Sequence, residues 1–207
     1  MNLESTVLEV GTSNVDVSPQ ITRDASIMKR PMIIPNADIM FARDTLRSFA
    51  ETVALSRALL STAPLPYAMV VARGAAFDIA TITWCILFGS DHEEHQQIHW
   101  KNMFEHEPFR SELLSAVNLT LEEWKGYRKC MVDYRNEVAA HRALNPETRN
   151  YPNFDTSLAA AAFYHDRLRE MATTVGIVMT GPTLTEHYAE RRDQFTTQMG
   201  AAVTVIR

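Results

Sequence analysis

The feature that most constrains the fold is an apolar stretch between residues 67 and 88. Placed on a helix, its apolar residues cover most of the circumference, which predicts the central helix of a bundle. Arg73 and Asp78 interrupt the stretch, and two charges inside it favour a buried helix over a membrane span. A pair of prolines precedes the stretch and Gly89 follows it, so both of its ends are marked.

Helices are predicted on both sides of this stretch, and they make the chain all-α. Asn36 can cap a first helix that reaches the prolines, and residues 91–104 are predicted to form a polar helix. The pattern Thr-x-x-Glu at 120–123 and at 183–186 indicates two capping boxes. They begin helices expected to end near 142 and near 200, and Asp155 can cap another from 156 to about 174. Strand candidates are confined to 176–179 and 203–206. Residues 1–35 lack periodicity and are predicted to be an irregular arm, with one all-α domain over 36–207.

Composition limits the classes of function. The formal net charge is −5, which argues against a protein that coats nucleic acid through many phosphate contacts, although it leaves room for a small RNA site. Sixteen of the basic residues are Arg and four are Lys, so the positive charge is mostly of the bidentate kind. Cys85 and Cys130 lie in apolar helical stretches, which indicates free thiols in a reducing compartment. Acidic residues interrupt any N-terminal apolar run, so we expect a cytoplasmic protein with no membrane partner.

The residues most suited to chemistry lie near the end of the helix that begins at the first capping box. Arg135 offers an always-charged fork for phosphate oxygens, and Asn136 follows it directly. His141 can give or take a proton near neutral pH. On a regular α-helix, six residues turn through about 600°, which leaves the Arg and His side chains about 120° and about 9 Å apart. A single helix would therefore hold the pair only loosely around one phosphate.

The motif Arg135-Asn136-x-x-x-x-His141 resembles the signature of the HEPN superfamily of helical ribonucleases and nucleotide-binding proteins. The sequence that follows the motif, and the buried helix that ends at Gly89 and precedes a polar one, are similar to the abortive-infection U-like branch of that superfamily. The resemblance extends over about residues 36–175. It implies an all-α, HEPN-like bundle with a four-helix core and additional helices.

The resemblance also implies an activity. HEPN ribonucleases pool an Arg and a His from each of two subunits, so a homodimer with a shared site is expected. The implied reaction is metal-independent cleavage of RNA, with no cofactor, in a toxin or phage-defence effector that an antitoxin protein could restrain. His141 would act as general acid or base, Arg135 would stabilise the charged transition state, and Asn136 would position the phosphate or the imidazole. Tyr134 and Arg142 flank the set as lesser, substrate-binding candidates.

The same residues have plainer interpretations, which the sequence leaves open. Glu137 and His141 are four residues apart, so the imidazole can be a helix-surface partner of that carboxylate. Cationic His141 and Arg142 near a helix C-terminus would stabilise its dipole, and Arg135 can serve as an interface ion-pair residue. A catalytically silent HEPN-like module that binds a nucleotide or a protein is therefore the alternative function.

A second set of residues has the spacing of a metal site. His92, His95 and His99 share one helical face, and three imidazoles on one face can bind zinc or nickel. The pattern lacks the Glu of an H-E-x-x-H site, because residue 96 is Gln. A solvated polar face is the simpler interpretation, and metal binding is kept only as a weak alternative.

Overall fold

The computed structural model describes residues 34–61, 65–89, 97–139 and 152–206, and none of these residues lies in a strand. The prediction of an all-α chain is confirmed over this part of the chain. A π-helix, Arg135–Ala139, follows the fifth α-helix directly. The α-helices are α1 Asn36–Ser61, α2 Tyr67–Phe88, α3 Trp100–Met103, α4 His106–Val117, α5 Leu121–Tyr134, α6 Phe154–Thr174 and α7 Leu184–Ile206. Residues 1–33 of the predicted arm lie outside the described residues.

Helix α1 organises the bundle because it packs against α2, α6 and α7. Its buried positions recur every three or four residues, which is the stripe expected of a helix with one face in the core. Helix α4 packs on α6, and α5 packs on α2. The buried side chains of α1 include Ile39, Ala42, Leu46, Phe49, Ala50 and Val53.

Aromatic side chains join α2, α5 and α6. Trp84 is fully buried and stacks on Phe88 with ring centroids 5.2 Å apart, and it meets Trp124 edge-on at 5.9 Å. Phe88 contacts Tyr164 of α6 in the same edge-on manner at 5.7 Å. Edge-to-face pairs at these distances stabilise a core beyond the area they bury. The Tyr164 hydroxyl donates to the carbonyl of Ile98 at 2.8 Å, so burial leaves this polar group satisfied.

Helix α2 is buried over only part of its length, which differs from the central helix predicted. Its C-terminal half enters the core, whereas its N-terminal half leaves an apolar face exposed. By length and composition α2 is the one described helix that could cross a membrane, and 33% of that apolar window is buried inside the protein. The exposed α2 face has a helical spacing and carries no charge; its residues are Ala68, Val71, Ala72, Ala75 and Ile79.

Several local expectations were wrong. Residues 203–206 belong to α7 rather than to a strand, because the helix continues past Gly200 to Ile206. Residues 176–179 form no strand, since no other described segment pairs with them. Of the polar helix predicted over 91–104, the described residues contain only the four-residue α3, and His99 caps it. The α-helical part of the motif helix ends at Tyr134, where the hydrogen bonding widens to the π type.

Both capping boxes are confirmed. The Thr120 hydroxyl accepts from the amide of Glu123, whose carboxylate in turn accepts from the Thr120 amide at 2.8 Å. Thr183 and Glu186 repeat the arrangement at the start of α7. Backbone hydrogen bonds to the two carboxylates lower the pKa of Glu123 and of Glu186. The cap of α6 is Asn153, whose side chain accepts from the amide of Asp155, the residue predicted for that role.

His165 of α6 is a buried imidazole among cations. It is 1% exposed, its Nδ1 has no hydrogen-bond partner, and the Asp166 carboxylate lies 3.8 Å from that nitrogen. Burial and the positive neighbours together lower its pKa to about 4. The groups that disfavour its charged form are Arg169, Arg47, Arg43 and His187.

We therefore expect His165 to make the protein less stable as the pH decreases. The unfolded His165 binds a proton below about pH 6.5, whereas the folded one does so only near pH 4. Its contribution is fully present above pH 6.5 and is lost as the pH falls to 4, by about 3 kcal/mol. Urea unfolding of the parent and of His165→Leu from pH 7 to pH 4 measures it. The variant should lose less stability over that range, and parallel curves for the two proteins would contradict the assignment.

Candidate functional site

The motif residues Arg135 and Asn136 lie on the π-helix that extends α5. In a π-helix each amide bonds five residues back, and such segments occur as single turns within α-helices, frequently at functional sites. Arg135 has helical dihedral angles, and its amide bonds to the carbonyls of Met131 and Val132, which lie four and three residues back as in a regular helix. The widened turn therefore begins at the arginine of the motif.

Within the motif, a hydrogen bond joins the two adjacent side chains. The Arg135 Nε donates to the Asn136 Oδ1 at 3.1 Å. Arg135 is half-buried, and Asn136 is exposed. A hydrogen bond at Nε restrains the plane of the guanidinium. A restrained guanidinium loses less conformational freedom when it contacts a phosphate through two hydrogen bonds. The polar residue after the Arg is thus a hydrogen-bond partner of the guanidinium.

Tyr134, expected beside the substrate, has a different environment. It is 3% exposed, its hydroxyl donates to the Asp78 Oδ1 at 2.8 Å, and its ring meets that of Phe77 edge-on at 5.3 Å. The hydroxyl is therefore turned to α2 rather than to a ligand. This bond fixes the end of α5 to α2, directly before the motif. The sequence did not predict Asp78 as the partner of Tyr134, because it identifies Asp78 only as a charge within an apolar helix.

His141 and Arg142 lie outside the described residues, so the distance between Arg135 and His141 remains a prediction. The geometry assumed for the pair does change. The spacing of about 120° rests on a regular α-helix. Residues 135–139 depart from it, so each residue there turns through a smaller angle.

The metal alternative gains no support from the described residues. They contain no group of three His, Cys, Asp or Glu side chains placed to hold a metal ion. His99 is 1% exposed, and its Nδ1 accepts from the Lys101 amide as the cap of α3. His92 and His95 lie outside the described part of the chain. The cap of α3 accounts for the Nδ1 of His99 without a metal.

The thiols show no sign of a catalytic environment. Cys85 is buried, and its Sγ lies 3.8 Å from the Met131 carbonyl oxygen. Cys130 is partly exposed, and burial together with the Asp133 carboxylate raises its pKa. A reactive cysteine requires a lowered pKa and access to solvent. The raised pKa of Cys130 and the burial of Cys85 are therefore both unlike those of a catalytic thiol.

Comparison of the chain with protein-family models, with curated protein sequences and with solved structures gives no match in any of the three.

The bond between Tyr134 and Asp78 should stabilise the junction that carries the motif. Tyr134→Phe keeps the ring contact with Phe77 but leaves the carboxylate without this donor, so unfolding should become easier by about 1–2 kcal/mol. Amide hydrogen exchange over residues 135–139 should also accelerate, because the turn loses its link to α2.

Asp78→Asn is the matched control, since its amide oxygen can still accept from the hydroxyl. It should cost less stability than Tyr134→Phe and leave the exchange of residues 135–139 nearly unchanged. Equal effects of the two variants in both measurements would show that this hydrogen bond does not hold the turn.

Proposed function

We propose that this chain is a metal-independent endoribonuclease of the HEPN type, acting in the cytoplasm as a toxin or phage-defence effector. The observation that carries the proposal is the orientation of the Arg135 guanidinium by Asn136 on a π-helical turn. The motif residues that the structure describes thus lie on a widened turn of the kind found at functional sites. An antitoxin partner would restrain the activity only in the cell, so cleavage should be measurable with the purified protein.

The proposed chemistry needs only groups supplied by the protein and the RNA. The 2′-hydroxyl oxygen attacks the adjacent phosphorus, the bond from phosphorus to the 5′-oxygen breaks, and a cyclic phosphate forms. His141 removes the 2′-hydroxyl proton or supplies a proton to the leaving 5′-oxygen. Arg135 stabilises the extra negative charge on the phosphoryl oxygens, and Asn136 keeps the guanidinium in place. The shared site contains His141 from both subunits, so one imidazole acts as the base and the other acts as the acid.

Two copies are part of the proposal because one subunit offers a single Arg and a single His of the motif. The outer surface of α5 is charged, with ion pairs such as Lys125–Glu122 and Lys129–Asp133, so two α5 helices would not bury an apolar seam together. The exposed α2 face is uncharged and belongs to the helix to which the motif junction is bound. We therefore place the second copy on the exposed α2 face, where apolar burial favours association.

Cleavage should depend on both motif residues and not on a metal. His141→Ala and Arg135→Ala should each lower the rate of RNA cleavage by about 100-fold or more, because acid–base and electrostatic contributions are of this size. The measurement is the appearance of fragments from a labelled RNA, with and without EDTA, and the fragments should end in a cyclic phosphate.

Arg110→Ala is the matched control for these variants, because this arginine pairs with Glu107 on α4 and has no part in the motif. It should cleave like the parent. Cleavage that persists in folded, dimeric His141→Ala protein would exclude the proposed mechanism. Absence of cleavage by the parent on every RNA tested would favour the catalytically silent binding module instead.

The exposed α2 face should control assembly. Ala75→Glu places a charge in the centre of the uncharged face, so it should convert dimers to monomers and abolish cleavage together. Sedimentation velocity measures the oligomeric state, and circular dichroism checks that the variant keeps its helices. Val178→Glu is the control, because Val178 is 83% exposed and lies outside α2. A dimeric Ala75→Glu protein would refute the placement.

A further inference from the structure

A cleft on another side of α2 contains arginines and apolar side chains together. Its volume is about 460 Å³, which lies in the range of small-molecule sites. The α1 side contributes Ser56, Arg57 and Leu60, and α2 contributes Val70, Arg73, Gly74 and Phe77. The start of α6 closes the third side with Pro152, Asn153 and Phe154.

The two arginines of the cleft differ in their partners. Arg57 donates to the Tyr188 hydroxyl at 2.9 Å and to the Asp155 carboxylate at 2.5 Å, so its position is fixed by α6 and α7. Arg73 is half-buried, and no hydrogen bond or ion pair joins it to another residue in the described part of the chain. None of the described residues that line the cleft is acidic. The positive charge of Arg73 is therefore available to an anionic ligand.

The rest of the cleft selects among anions. Phe77 and Phe154 lie with ring centroids 4.5 Å apart, and Leu60 and Val70 are 66% and 39% exposed, so an apolar wall remains open. A planar ring can bury apolar surface against this wall. The charge of Arg57 is compensated by Asp155, so Arg73 supplies the positive charge for a ligand, and its planar fork fits phosphate oxygens.

We propose that this cleft binds a small phosphate monoester that carries a planar ring. Arg73 holds the phosphate, and the ring lies against the side chains of α1 and α2. Arg57 stays paired with Asp155 at the edge of the cleft. The site is separate from the Arg135 motif, and the proposal does not depend on RNA cleavage. It stands on the cleft and on Arg73, which has no partner among the described residues.

Gly74 provides a sharp test, because it lines the cleft and has open space around it. A Cβ at this position meets no heavy atom within 4 Å, and the same holds for Gly126 in the middle of α5. Gly74→Leu should fill the cleft while improving helix propensity, since Gly is about 1 kcal/mol worse than the best helix formers. Gly126→Leu makes the same exchange away from the cleft and is the matched control.

Calorimetric titration of the full-length protein with phenyl phosphate and with AMP measures binding. We expect each to bind at least tenfold more tightly than inorganic phosphate, phenol or adenosine. Arg73→Gln should weaken binding by about tenfold or more, which is the loss of one charge-assisted hydrogen bond. Gly74→Leu should abolish it, and Gly126→Leu should leave it unchanged.

Three results would overturn the proposal. These are no binding of either phosphate ester at millimolar concentration, equal affinity for inorganic phosphate alone, and unchanged binding by folded Gly74→Leu. Loss of RNA cleavage in Arg135→Ala with retained phosphate-ester binding would separate the two proposals. Thermal unfolding confirms that each variant is folded.

Discussion

The contact between Trp84 and the rings around it holds the described bundle together. Trp84 and Phe88 lie one turn apart at the C-terminal end of α2, and they meet Trp124 of α5 and Tyr164 of α6. Large rings fix the separation and the rotation of helices more strictly than aliphatic side chains do, because edge-on contacts tolerate little displacement. With that end of α2 fixed in the core, its other end is left at the surface, where it forms both the exposed α2 face and one wall of the cleft.

The positions of the motif and of the cleft both follow from this arrangement. The bond from Tyr134 to Asp78 binds the end of α5 to the middle of α2. Phe77, the residue before Asp78, contacts Tyr134 on one side and Phe154 of α6 on the other. A single turn of α2 thus connects the motif junction to the start of α6. The described residues place the arginine of the motif and the arginines of the cleft around one helix, which explains why α2 matters to both proposals.

The sequence predicted the helices well where the signals were local. Both capping boxes formed as predicted, because each needs only residues three apart. The apolar stretch of α2 was correctly recognised as a helix, but its burial was not, since burial depends on which neighbours a helix finds. The role of Tyr134 was missed for the same reason: its partner Asp78 is distant in the sequence. The π-helix was missed because periodicity of 3.6 residues was assumed throughout, and the cleft was missed because three separate segments form it.

The π-helical turn has a consequence for how the spacing of motif residues is understood. A helix that bonds five residues back accommodates one more residue in a turn than the α-helix does. Two residues on either side of the segment 135–139 are therefore rotated relative to each other by a smaller angle than on a regular α-helix. The angle is about that between two α-helical residues separated by one residue fewer. An insertion of one residue can thus be absorbed locally, so that side chains beyond it keep their direction. Counting residues between two side chains is accordingly a poor measure of the angle between them.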